Sequence, residues 1–168
     1  MLGVLQEFIE KNIELIEQNN FKQLYKNCDN LEQRGNLTAI LHRAGIPVLQ
    51  NIGWSIPEFM FLKNNILEAH IPDNIRVIEQ GAFLGCDQLE KVTIPSTVKM
   101  INFGAFKHCS KLHEIYYTGT SEELFNIHVD GYPFENPLEV FHCTDRDVSL
   151  VEYWTTHSAK DKLYDSID

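Results

Sequence analysis

Between Ile71 and Tyr117 the chain states one pattern twice. Ile71-Pro72, Ile78, Gly81-Ala82-Phe83, Cys86 and Leu89 return 23 positions later as Ile94-Pro95, Ile101, Gly104-Ala105-Phe106, Cys109 and Leu112. A fixed period of this length is the mark of a stacked repeat, because one such unit cannot bury its own apolar edge. The recurring positions carry residue types that favour burial, and the variable ones carry Lys, Asp, Asn, Ser and Glu. Stacking therefore predicts ladders in which Phe83 meets Phe106 and Cys86 lies near Cys109. Each unit holds one short extended run, Leu89-x-x-Val92-x-Ile94 and Leu112-x-x-Ile115-x-Tyr117. These runs are expected to pair in a parallel sheet. Pro72 and Pro95 fit strand ends, where no N–H is needed. Gly81 and Gly104 fall where the chain must turn before a small Ala and an inward Phe.

These residues resemble the BspA-like leucine-rich repeat, with its Ile-Pro, Ile, Ala-Phe, Cys, Leu core. The resemblance covers Ile71–Tyr117 closely and Ile56–His70 loosely. It implies an α/β repeat fold: a short leucine-rich-repeat solenoid with a helical N-terminal cap and an α/β C-terminal cap. It implies protein binding and carries no catalytic residues and no cofactor.

The expected organisation is a helical cap over residues 1–45, a solenoid over 46–117 and a C-terminal cap with an acidic tail over 118–168. Residues 2–18 read as one amphipathic helix, with Leu2, Leu5, Phe8, Ile9, Ile13 and Ile16 on one side and Asn19-Asn20 as its break. Short helices follow over 21–27 and about 31–44, the last ended by Gly45. This unit is expected to cover the open first coil, or else to offer a separate binding face. Ile56-Pro57-Glu58-Phe59-Met60-Phe61 reads as a worn copy of Ile-Pro and Ala-Phe. One residue is missing between Phe61 and Ile71, so a tighter coil or a distorted ladder is expected. Trp54 is expected to pack between cap and solenoid.

After Tyr116 the pattern stops. Thr120 with Glu123 makes a capping box for a short helix, and Leu124 stands where similar proteins carry Trp. Leu138–Cys143 alternates and predicts a last strand. Arg146–Asp168 has no counterpart in the repeat. Val148–Trp154 predicts one more strand or helical turn with exposed aromatics, and Ala159–Asp168 a polar, mobile end. Tyr153 and Trp154 either meet a partner or fold back onto the cap.

The chain carries a net charge of −10, and its placement is uneven. Residues 1–45 hold 6 acids and 5 bases, residues 46–117 hold 7 and 6, and residues 118–168 hold 11 and 3. That disfavours direct nucleic acid, whose binding relies on neutralising phosphates, and favours a protein partner with a basic surface. No run of about 18 apolar residues suggests a membrane span. The acid-rich start, Glu7, Glu10, Glu14 and Glu17, does not suit a signal peptide, so a cytoplasmic setting with reduced thiols is expected.

Reactive chemistry finds little support. His108-Cys109 and His142-Cys143 are adjacent pairs, awkward as zinc ligands, and no Cys-x-x-Cys or His-x-x-x-His exists. The ladder thiols should be buried and inert. No phosphate-cradling glycine loop appears. No enzyme, metal or cofactor is expected.

The candidate partner-binding surface is instead the strand face. Glu68, Lys91 and Glu114 should form one outward column, and His70, Thr93 and Tyr116 another, with neighbours about 5 Å apart. The C-terminal segment adds Asp145, Asp147, Glu152, Tyr153 and Trp154 as further candidates. The leading expectation is a non-catalytic protein-binding module. One alternative follows from the resemblance to short phage-borne or mobile-element proteins: an anti-CRISPR-like inhibitor whose acidic segment occupies a basic nucleic-acid channel. A second is an adhesin-like surface protein, typical of longer relatives.

Overall fold

The computed structural model describes residues 2–134 and 137–165, and the side chains of Gly3–Ser158 within them. The chain opens with four helices: α1 (Leu2–Lys11), α2 (Ile13–Glu17), α3 (Phe21–Lys26) and α4 (Leu31–Arg43). A 3-10 turn (Leu49–Asn51) leads to short strands β1 (Ser55–Ile56), β2 (Glu68–His70), β3 (Val77–Ile78), β4 (Lys91–Ile94), β5 (Met100–Ile101) and β6 (Glu114–Tyr117). Helix α5 (Ser121–Phe125), strands β7 (His128–Val129), β8 (Val140–His142) and β9 (Asp147–Ser149), and helix α6 (Leu150–Asp165) complete the order.

The strands build two parallel ladders, β1-β3-β5-β7 and β2-β4-β6-β8, and β9 closes the second antiparallel to β8. The result is a solenoid of about four turns with helices at both ends. The sequence led us to expect one strand per repeat. The β1-β3-β5-β7 ladder is not legible in the sequence because each of its strands is two residues long, too short to show alternation.

The core is a stack of equivalent side chains. Phe61, Phe83, Phe106 and Phe134 form an offset column, with centroids 4.8, 5.1 and 5.7 Å apart and planes within 11° of parallel. All four are buried. Such contacts add roughly 0.5–1.5 kcal/mol per pair beyond area burial. Cys86 and Cys109 are buried thiols not joined in a disulfide, and each donates to the phenylalanine carbonyl of the preceding coil, at 3.0 Å to Phe61 and 3.2 Å to Phe83.

The winding continues further than the repeat pattern. Met100 pairs with His128 and Glu114 with Val140, so β7 and β8 add a fourth rung to both ladders. Those offsets, 28 and 26 positions, depart from 23 because α5 is inserted into the coil. At the other end the missing residue falls within Asn64–Ile66. Lys63 N–H still donates to Leu84, while Leu67 already accepts from Glu90 and Lys91. The ladder is undistorted, and Asn64 takes the place of the ladder cysteine. Ile56-Pro57 stands at a strand end, that of β1, but not at the place in the coil that Ile71-Pro72 and Ile94-Pro95 hold. Ile56 pairs with Ile78, in the other ladder.

Helix α4 covers the first coil by replacing hydrogen bonds. In later coils the carbonyls of Gln80, Ala82 and Leu84 accept from the coil before. The matching carbonyls here are Glu58, Met60 and Leu62. They accept instead from the Arg34 guanidinium at 3.0 Å, the Thr38 hydroxyl, and the Asn64 amide at 3.2 Å. Asn64 also donates to Gly35 in the helix at 3.1 Å. A Cβ on Gly35 would lie 2.6 Å from the Leu62 carbonyl oxygen, so only glycine permits this approach. The expected single helix over 2–18 is broken at Asn12, whose side-chain amide donates to the Phe8 carbonyl at 2.8 Å. Trp54 does not pack between cap and solenoid; it is 56% exposed.

Candidate interaction face

The two outward columns form as the register requires. Glu68 pairs with Lys91 and Lys91 with Glu114; His70 pairs with Thr93 and Thr93 with Tyr116. Alternation sets their direction: Ala69, Val92 and Ile115 point into the core, so the flanking residues point out. The fourth rung extends the columns with Val140 and His142. His142 is therefore a face residue that the sequence pattern did not reveal, because the inserted α5 hides its register.

Tyr116 is the centre of the face. The Lys91 ammonium sits 4.6 Å from its ring centroid, its hydroxyl donates to Glu114 at 3.0 Å, and the His142 ring lies 4.8 Å away. That bond to the Glu114 carboxylate raises the phenol's pKa above its ordinary value. His142 reaches Asp147 through Nδ1 at 2.8 Å. Its shielded Nε2 stands 3.4 Å from Glu114, outside hydrogen-bond geometry. On the adjoining surface Lys111 donates to Gln88 at 2.7 Å and lies 3.9 Å from Glu90. The face is thus mixed in charge, with one half-exposed aromatic held by cation and hydroxyl contacts.

The C-terminal candidates divide differently. Tyr153 is fully buried among Phe125, Phe134 and Phe141, 5.0 Å from the last, so it belongs to the core and not to a surface. Trp154 is half-buried, edge-on to the exposed Tyr132. The expectation of exposed aromatics in this segment therefore gives way to folding back onto the cap. Asp145 accepts both the N–H and the hydroxyl of Ser121 at 2.7 Å, which depresses its pKa. Glu152 holds Arg146 in a two-pronged pair at 2.7 and 3.1 Å, and its pKa is lowered as well. Asp147 faces His142 as above. These acids are engaged locally, by partners that a count of charges does not reveal. The expected mobile end is helical to Asp165; Ser166–Asp168 lie outside the described residues.

Burial pushes Cys28 and Cys143 up to about 11, and Cys86 higher. Among the described residues no group of three or more metal-ligating side chains converges, and no helix is long and apolar enough to cross a membrane.

The parallel coils, the phenylalanine ladder and the capped ends define a leucine-rich-repeat solenoid. The family model of the BspA type leucine rich repeat region matches residues 54–131, in 6 copies. No curated protein matches. A leucine rich cell surface protein from Faecalibacterium prausnitzii A2-165, known from its crystal structure, is similar at 37% identity and a TM-score of 0.44 over 46% of this chain. The match spans 21% of that protein's chain.

Proposed function

We propose that this chain is a non-catalytic protein-binding module that uses the outward face of β2, β4, β6 and β8. The observation that carries this reading is the Tyr116 cluster. Core packing does not require Lys91, Glu114, Tyr116 and His142 to converge on the solvent side, yet they hold an aromatic ring within a face of four parallel strands. Aromatic anchors ringed by polar groups are where binding energy concentrates in protein interfaces.

The partner fits a surface with basic groups beside an apolar recess. Glu68 and Glu114 supply the acids on the face, and the surplus of residues 118–168 adds a long-range negative field. An inhibitor filling a nucleic-acid channel with a free acidic tail is less well supported. Asp145, Asp147 and Glu152 are already paired, and Tyr153 is in the core. The test is capture of protein partners by wild type and by Tyr116→Ala and Lys91→Ala, with folding checked by circular dichroism. Loss of the same bound proteins in both variants supports the face. Unchanged capture by both removes it.

A further inference from the structure

The N-terminal edge of the β2 ladder is an unfilled rung. In the parallel pairing, Leu67, Ala69 and Ile71 turn their backbone groups to β4; Ile71 N–H, for example, donates to Thr93 at 3.0 Å. Glu68 and His70 therefore turn theirs away from the sheet. Among the described residues neither their N–H nor their C=O meets a partner, although α4 and Asn64 supply donors for Glu58, Met60 and Leu62 in the same coil.

The reason lies in the preceding segment. One repeat length before Ala69 and Ile71 stand Ile46 and Val48, where another strand would run. Pro47 has no N–H, and Val48 N–H turns back to Ile46 at 2.9 Å, so the chain curls away into the 3-10 turn. What remains is a groove of about 350 Å³ between that turn and the edge, lined by Ile46, Leu49, Gln50, Phe61, Ile66 and Ala69.

We propose that this edge accepts an extended peptide segment of a partner protein as an added strand, with a basic residue opposite Glu68 and an apolar neighbour entering the groove. Hydrogen-bond geometry fixes the extended form, because only a strand offers alternating groups at the spacing of the edge. Charge fixes the basic residue. The column Glu68, Lys91, Glu114 alternates in sign, and opposite charges are favoured across a rung. The edge shares Glu68 and His70 with the rim of the proposed face but none of Lys91, Glu114, Tyr116 and His142, so Tyr116→Ala should leave peptide binding at the edge intact.

The probe is acetyl-Glu-Lys-Val-Thr-Ile-Pro-amide, whose sequence already pairs with β2 from its other side. Titrated into the full chain, it is expected to shift the amide resonances of Glu68, His70 and Gln50. N-methylation at its Val and Ile removes two donors and should weaken binding by about tenfold or more. His70→Pro deletes an edge donor that β4 does not use, so it should keep the fold and lose the peptide. Glu68→Lys should weaken the same peptide, and exchanging the peptide's Lys for Glu should restore it. Equal affinity of the N-methylated peptide for the wild-type chain, or resonance shifts confined to other surfaces, would overturn the proposal.

Discussion

Phe59, Lys63 and His108 adopt left-handed backbone, with φ of 54°, 53° and 59°. Each stands at a turn position that glycine fills in another coil. Phe59 corresponds to Gly81 and Gly104 (φ 58° and 64°), and Lys63 and His108 to Gly85 (φ 70°). Left-handed geometry costs an L-residue roughly 1–2 kcal/mol. Gly104→Ala meets nothing closer than 3.7 Å, so it isolates that cost, and chemical denaturation should show a loss of about 1–2 kcal/mol. Gly81→Ala should lose more, because its Cβ would come within 2.5 Å of the Phe59 ring. Lys63→Gly should instead gain about 0.5–1 kcal/mol. Equal losses at Gly81 and Gly104 would show that the Phe59 ring yields. The glycines are legible in the sequence as turn positions. Their occupation by Phe59 and Lys63 in the first coil is not, since neither residue type signals a left-handed turn.

Coils behave as elements whose contacts are mostly with their neighbours. Phe83 has stacked rings on both sides, so Phe83→Ala should cost about 3–5 kcal/mol, more than the same change at the end of the column, measured by urea unfolding. Helix α5 is held by two devices. Thr120 and Glu123 form the capping box foreseen from their spacing, while Asp145, 24 positions on, was invisible as a partner of Ser121. Because folding depresses the Asp145 pKa, its stabilisation is present at neutral pH and is lost as pH falls through the folded-state value. Asp145→Asn should therefore lower the melting temperature at pH 7 and converge with wild type in strong acid. A constant gap across that range would assign the effect to the amide's geometry and not to charge. The period of 23 was readable wherever strands lie one coil apart without insertion. The fourth rung was not, because α5 shifts β7 and β8 out of step, and His142 was lost from the predicted face with it.

At the scale of the whole molecule the two ends are built differently. The N-terminal helices close the first coil by supplying hydrogen-bond donors, whereas the C-terminal segment closes the last coil with an aromatic plug. Deleting residues 146–168 removes β9 and α6 and uncovers Phe134 and Phe141, on which Tyr153 packs, so this segment is structural. The deletion should lower stability by at least about 3–5 kcal/mol, the usual cost of losing one large buried aromatic side chain, and increase binding of a hydrophobic dye. The acidic surplus of that third is legible in the sequence, whereas the partners of its acids, Ser121, His142 and Arg146, are set by the fold. The claim on which the functional account rests is that the Tyr116 face is what other proteins touch. The most direct measurement is hydrogen exchange of the full chain with and without a captured partner. The account predicts that protection concentrates in Lys91–Ile94, Glu114–Tyr117 and Val140–His142. Protection confined to α1–α4 or α6, with those strands unchanged, would contradict it.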